Sequence, residues 1–224
     1  MPDPGPFHVG LTPAAVVAAA AELTRESHLM SWSIRDLAKR LGVAPSVVYH
    51  HVGGKELLCR RVVEHMLTGV VAPAHELAWQ DWFRELLLSA GPVAGAYPGT
   101  AKWMLMHGPV LPGALPILET GIERLRAGGF GDRANLAYAL LLNTAMLTIS
   151  LSDDRLQHED DGPRDHAALM AELHGIPSAS PSLRGMADDL VAPFAAGGQR
   201  AEQMRWEYYR AVVETTIAGL AATR

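Results

Sequence analysis

Between residues 33 and 58 the apolar and polar positions fall into two short helical periods separated by a glycine. Ile34, Leu37, Ala38 and Leu41 recur at i, i+3, i+4 and i+7, which is one apolar face of a short helix. Ser33 and Asp36 predict its start, with a hydroxyl for the orphan backbone N–H groups and a carboxylate in the positive first turn. Gly42 predicts its end, because glycine takes the left-handed conformation at no steric cost. Val43 then closes a tight turn, and a second short helix is predicted from about Ala44 to His50. On that helix Val48 points inward, while Pro45, Ser46, Val47, Tyr49 and His50 lie on or near the opposite face. Two helices joined by a short glycine-containing turn form the arrangement that places a recognition helix in the DNA major groove. The pattern therefore predicts DNA binding.

The periodicity stays helical along the rest of the chain. Thr12-Pro13 predicts a first helix, about Thr12 to Ser27, with an N-cap residue followed by proline at the first helical position. A fourth helix is predicted from Lys55 to about Val71, stopping before Pro73. Further helices are predicted near Asp81–Gly91, Thr100–His107, Pro116–Ala127, Arg133–Leu151, Asp165–His174, Leu183–Ala195 and Gln199–Ala222. Gly91-Pro92, Tyr97-Pro98-Gly99, Gly108-Pro109 and Gly128-Gly129 punctuate them. Residues 153–164 and 175–182 are polar and read as loops. The expected fold is all-α, with an N-terminal three-helix helix-turn-helix head (residues 8–68) and a larger C-terminal helical domain (residues 69–224).

The segment SIRDLAKRLGVAPSVVYHHVGGKELL closely resembles the DNA-binding segment of the tetracycline-repressor (TetR) family of bacterial regulators. The resemblance includes the upstream helix, Leu37-Ala38, Leu41-Gly42-Val43, Tyr49, Val52 and Lys55. The Tyr-x-x-Val-x-x-Lys continuation is much more specific than a generic helix-turn-helix pattern. His28 is a departure, since the family commonly has glycine there. LRAGGF at Leu125–Phe130, followed by a long apolar helix, is similar to the middle of TetR regulatory domains.

The resemblance implies that Tyr49 contacts the DNA backbone, that Lys55 meets a phosphate, and that His51 faces the backbone. A phenolic O–H and an ammonium are both good phosphate donors. Arg35 is placed to do likewise or to reach a base edge. Ser46, Val47 and His50 are the base-facing candidates, and Pro45 adds an apolar contact. With Ser33 these residues make up the expected DNA-binding set.

The resemblance also implies a homodimer joined through the last long helices, here Arg133–Leu151 and Gln199–Ala222. In the latter, Met204, Tyr208, Val212, Thr215 and Ala218-Gly219 form a stripe that suits a subunit contact or an internal core equally well.

Composition sharpens this picture. The net charge of −5 looks wrong for a DNA binder until it is divided: residues 1–65 carry seven Lys or Arg against six acids, leaving twelve against eighteen beyond. So small a basic excess predicts weak non-specific binding and makes pairing of two copies important for affinity. Cys59 is the only cysteine, so no intramolecular disulfide is possible and a reducing cytoplasm is expected. MPDPGPFHVG has no secretory-signal pattern. Ala134–Ser152 lacks charge over 19 residues but carries several Asn, Thr and Ser, and a helix at a subunit interface explains it better than a membrane span.

The C-terminal half also holds aromatic, sulfur and isolated polar side chains suited to an apolar pocket with a few placed polar groups. Trp82, Trp103, Met106, His107, Tyr138 and Asn143 are the ligand-binding candidates, although plain core is the commoner role for such residues. The acidic and histidine-rich stretch from His158 to His174 lacks metal-ligand spacing, and no catalytic constellation is present, so neither metal nor cofactor is expected. The expected function is a homodimeric, ligand-responsive repressor that leaves a palindromic operator when a small apolar effector binds. The alternatives are a constitutive DNA-binding protein whose C-terminal domain only dimerises and, remotely, a helical carrier or enzyme.

Overall fold

The computed structural model describes residues 11–109, 111–158, 172, 180–195 and 198–223, and among them there is no strand. The longer helices among these residues are α1 (Pro13–Glu26), α2 (Ile34–Leu41), α3 (Pro45–Val52), α4 (Lys55–Leu67), α5 (Trp79–Gly95), α6 (Thr100–His107), α7 (Leu115–Leu125), α8 (Ala134–His158), α9 (Pro181–Met186) and α10 (Gly198–Ala222).

Local chemistry starts α1 and α2 and stops α2 where the sequence predicts. Thr12 Oγ1 accepts the Ala15 N–H at 3.1 Å, with Pro13 opening α1. Ser33 and Asp36 form a reciprocal capping box, Ser33 Oγ accepting the Asp36 N–H at 3.2 Å and Asp36 Oδ2 accepting the Ser33 N–H at 2.8 Å. The Ser33 hydroxyl, which donates to Asp36 Oδ2 at 2.6 Å, and then the Ser33 N–H hold the Asp36 carboxyl below the usual carboxylate range. Gly42 ends α2 at φ +67°. The helices close over Val16, Ala20, Leu37, Ala38, Val48, Val52, Leu58 and Val62, all sealed from solvent. Beneath them the Trp32 indole N–H donates to Thr24 Oγ1 at 3.0 Å, and that hydroxyl donates to the Ala20 carbonyl at 2.9 Å. Both buried polar groups are thereby satisfied.

In the body, α5, α6, α7 and α10 all pack on α8, and α4 reaches α5 from the head. Several boundaries differ from the sequence expectation. α4 stops at Leu67 rather than Val71, because Thr68, Gly69 and Val70 turn tightly through N–H bonds to the third residue back. α5 runs through Gly91-Pro92 to Gly95 instead of ending there. Gly91 serves close packing: a Cβ on it would lie 2.6 Å from the Tyr209 ring of α10, whose hydroxyl donates to the Leu87 carbonyl at 2.8 Å. α8 continues to His158, so the predicted loop at 153–164 begins as helix. The predicted Asp165–His174 helix lies outside the described residues except for Glu172. The stretch predicted as Leu183–Ala195 is α9 continued by a wide turn at Ala187–Val191 and a last turn at Ala192–Ala195. The helical stretch Pro112–Asp153 is long and apolar enough to cross a membrane, and half of its most apolar window is buried inside the protein.

Candidate nucleic-acid interface and ligand cavity

α3 presents the face expected of it. Pro45, Ser46, Tyr49 and His50 are exposed, Val47 and His51 are half-buried, and Val48 and Val52 anchor the helix in the head core. Tyr49 is 53% exposed, so its phenol is available to a partner along that surface. The His50 and His51 rings meet edge to face at 5.7 Å, and Arg61 lies 3.4 Å from the His51 carbonyl. Arg35 is exposed at the start of α2. Ser33 sits on the same side, but its hydroxyl is held at 2.6 Å by Asp36 Oδ2 within the cap.

Lys55 is more constrained than its sequence position suggests. Its Nζ donates to the Leu29 carbonyl at 2.8 Å and lies 2.7 Å from the centroid of the Trp32 ring. A cation over an indole face is attracted by the ring quadrupole. Burial nevertheless favours the neutral amine and lowers the Lys55 pKa to about 8. Trp32 is the residue the sequence reading missed. It stands immediately before the Ser33 N-cap, with Leu37 at the fourth helical position, which is the hydrophobic-staple signature.

Under the head, α4, α5, α6, α7 and α8 enclose an apolar cavity with about 750 Å³ of empty space, counting the solvent in its mouth. Met66 and Leu67 of α4, Val70 just beyond it, Leu86 and Ala90 of α5, Met104 of α6 and Ile117 of α7 form much of the wall. Tyr138, Leu142, Asn143 and Met146 close the α8 side. Burial pushes the Tyr138 hydroxyl pKa up to about 12, so it stays a neutral donor.

Of the six ligand-binding candidates, this cavity brings together Tyr138 and Asn143 only. Trp82 is sealed in the core, edge-on to Phe83 at 4.9 Å and against Gly121. Trp103 stacks on His107 at 4.3 Å, His107 Nδ1 sits 2.9 Å from the Trp103 carbonyl, and Met106 is 76% exposed. Met106 and His107 are thus exposed on the outward side of α6, while Trp103 is half-buried against the core and outside the cavity wall. Met66 of α4 and Met146 of α8 escaped the sequence reading because apolar residues at helical spacing look alike whether they line a cavity or fill a core.

A second surface runs along α8. Leu136, Leu140, Asn143, Leu147 and Leu151 recur at i, i+4, i+7, i+11 and i+15 and are all exposed. On the adjoining α10, Tyr208, Ala211, Thr215, Ala218, Gly219 and Ala222 are exposed, with Met204 and Val212 half-buried beside them. The core of α10 is a different stripe, Tyr209, Val213, Ile217 and Leu220. The stripe singled out in the sequence thus faces outward.

No family model matches the chain. It is 30% identical over 193 residues to the class A tetracycline repressor protein from transposon 1721 of Escherichia coli, covering 83% of this chain and 85% of that protein. Among solved structures, apo ActR from Streptomyces coelicolor superposes with a TM-score of 0.70 at 22% identity, covering 96% of this chain and 98% of that one. ActR in complex with actinorhodin gives a TM-score of 0.70 at 22% identity, covering 95% and 99%. A TetR variant from Acinetobacter baumannii AYE in complex with minocycline gives 0.66 at 24% identity, covering 96% and 99%. The exposed recognition helix, the cavity beneath it and this relationship over most of both chains lead to one conclusion: the protein belongs to the tetracycline-repressor (TetR) family of DNA-binding transcriptional regulators.

Proposed function

We propose that this protein is a cytoplasmic, homodimeric repressor that releases a palindromic operator when a small, apolar molecule enters the cavity. The observation that carries the reading is the position of that cavity. Its wall includes Met66 and Leu67 of α4, the helix that opens with Lys55 in the head, so an occupant touches the element joining effector domain to DNA-binding head. A constitutive regulator would be expected to have a filled interior, so the empty apolar space favours ligand response. That relatives were solved with actinorhodin and with minocycline supports a ligand role for the same domain.

On DNA, Arg35, Tyr49, His51 and Lys55 contact phosphates, while Pro45, Ser46, Val47 and His50 meet base edges. Lys55 gives one of its three N–H donors to the Leu29 carbonyl and turns another onto the Trp32 ring, which leaves one for a phosphate. Two heads are needed because each carries so small a basic excess. The exposed α8 and α10 stripes supply the subunit contact, forming a four-helix bundle with the second copy.

The test is binding of the full-length protein to DNA from upstream of its own gene, at two salt concentrations and with non-specific competitor. A saturable, competitor-resistant complex of two chains per site is the expected result. Binding that is weak and vanishes with salt would overturn the reading.

A further inference from the structure

Besides the packing of α4 on α5, the head meets the body at a joint whose hydrogen bonds run in series. The turn Tyr97-Pro98-Gly99 precedes α6, and Gly99 is the N-cap of that helix at φ +87°. On its head side, the Pro98 carbonyl accepts the Leu29 N–H at 2.8 Å. The Leu29 carbonyl in turn accepts Lys55 Nζ at 2.8 Å, so one buried peptide residue is bonded to the body at its nitrogen and to the start of α4 at its oxygen. The His28 ring lies flush on Gly99, where a Cβ would come within 2.5 Å of His28 Cε1. That ring is itself oriented, its Nδ1 accepting the Met30 N–H at 3.1 Å. On its body side, the Gly99 N–H donates to Asp153 Oδ2 at 2.9 Å. Asp153 is 3% exposed and stands at the end of the α8 segment that carries Asn143 and Met146 in the cavity wall.

We propose that Asp153 is the positioning residue that makes this joint rigid, so that displacement of α6 or α8 by a cavity occupant reaches Leu29 and Lys55. A carboxylate on a backbone N–H is a charge-assisted bond, and it pins the one turn that touches both His28 and Leu29. Without that bond the turn slides on the head and the two domains report separately. The inference rests on the regulator reading above and adds to it the residue through which cavity and head communicate. Coupling of this kind is reciprocal, so DNA on the head must be felt in α6 as well.

Amide hydrogen exchange on the full chain tests this, with and without a saturating duplex from upstream of its own gene. In the wild type, DNA is expected to slow exchange severalfold both in residues 33–55 and in residues 98–107. Asp153→Asn keeps an oxygen acceptor for Gly99 and is expected to preserve the second effect. Asp153→Ala is expected to keep protection in the head and lose it in 98–107. Ile149→Ala, a buried change one turn earlier on α8, controls for simple loss of stability and should keep both. Gly99→Ala attacks the joint from the other side and should behave as Asp153→Ala does. Wild-type transfer of protection in Asp153→Ala overturns the proposal, as does head protection without any effect across 98–107 in the wild type. Absence of a DNA complex altogether overturns the regulator reading itself, and the proposal with it.

Discussion

The Lys55 ammonium sits 2.7 Å from the centroid of the Trp32 ring, so the lysine that opens α4 is seated on an aromatic face inside the head. Its remaining protein bond goes to the Leu29 carbonyl, and burial lowers its pKa to about 8. The folded protein therefore sheds this proton before the unfolded chain does. Between pH 8 and the ordinary lysine value of about 10.4, the unfolded state binds more protons and this group's contribution to stability rises with pH. DNA binding should respond in the opposite sense. As Lys55 loses its charge above pH 8, the slope of log affinity against log salt should fall by about 0.9 per head. Anisotropy titrations at pH 7.5 and 9.5 measure it, with Lys55→Gln expected to abolish the difference. An equal slope at both pH values in the wild type would remove Lys55 from the phosphate contacts.

Tyr49 stands exposed on the recognition helix. Tyr49→Phe removes one O–H without disturbing Val48 or Val52, which hold the helix in place. Affinity should drop by about 1 kcal/mol, the typical net worth of one hydrogen bond, on operator and mismatched sequences alike. Ser46→Ala should instead relax preference at one base position. Competition binding against a set of single-base variants separates the two effects. A Tyr49→Phe protein that loses affinity for one base step only would show that this phenol reads sequence.

Leu140 and Leu147 lie seven residues apart on the exposed α8 stripe. Aspartate at both positions should yield folded monomers in sedimentation, because two buried, unpaired carboxylates per subunit cannot be accommodated in an apolar seam. The monomer should keep its helical circular dichroism and lose tight operator binding. Persistence of a dimer would move the interface to another face.

Gly91 and Tyr209 test the packing of α5 on α10. With the Tyr209 ring 2.6 Å from a Cβ at position 91, Gly91→Ala should destabilise by about 1–3 kcal/mol through overpacking. Adding Tyr209→Leu should recover part of the loss, since the two changes share one contact and cannot be additive. Urea unfolding of both single variants and the double variant provides the cycle.

The head was legible in the sequence because its determinants are local. Thr12, Ser33 and Asp36 cap helices through bonds three residues long, Gly42 supplies a left-handed stop, and Val48 and Val52 follow the helical period inward. The body was legible only in outline. Gly91-Pro92 resembles a break, yet the helix continues because Tyr209, more than a hundred residues away, fills the space beside the glycine. Asp153 looks like the start of a polar loop, yet it is a buried acceptor for Gly99, so α8 runs on past it.

The candidate sites divide in the same way. The sequence alone determined the all-helical class, the helix-turn-helix and the exposed face of α3, since each follows from periodicity and capping within a few residues. Only the tertiary structure decided that Lys55 rests on Trp32, that Tyr138 and Asn143 line the cavity while Trp82 is core, and that Met106 and His107 belong to the outer side of α6. An apolar or aromatic residue at helical spacing shows which side of its helix it occupies. What lies opposite, whether another side chain, an empty space or solvent, is set by the packing of helices distant in the chain.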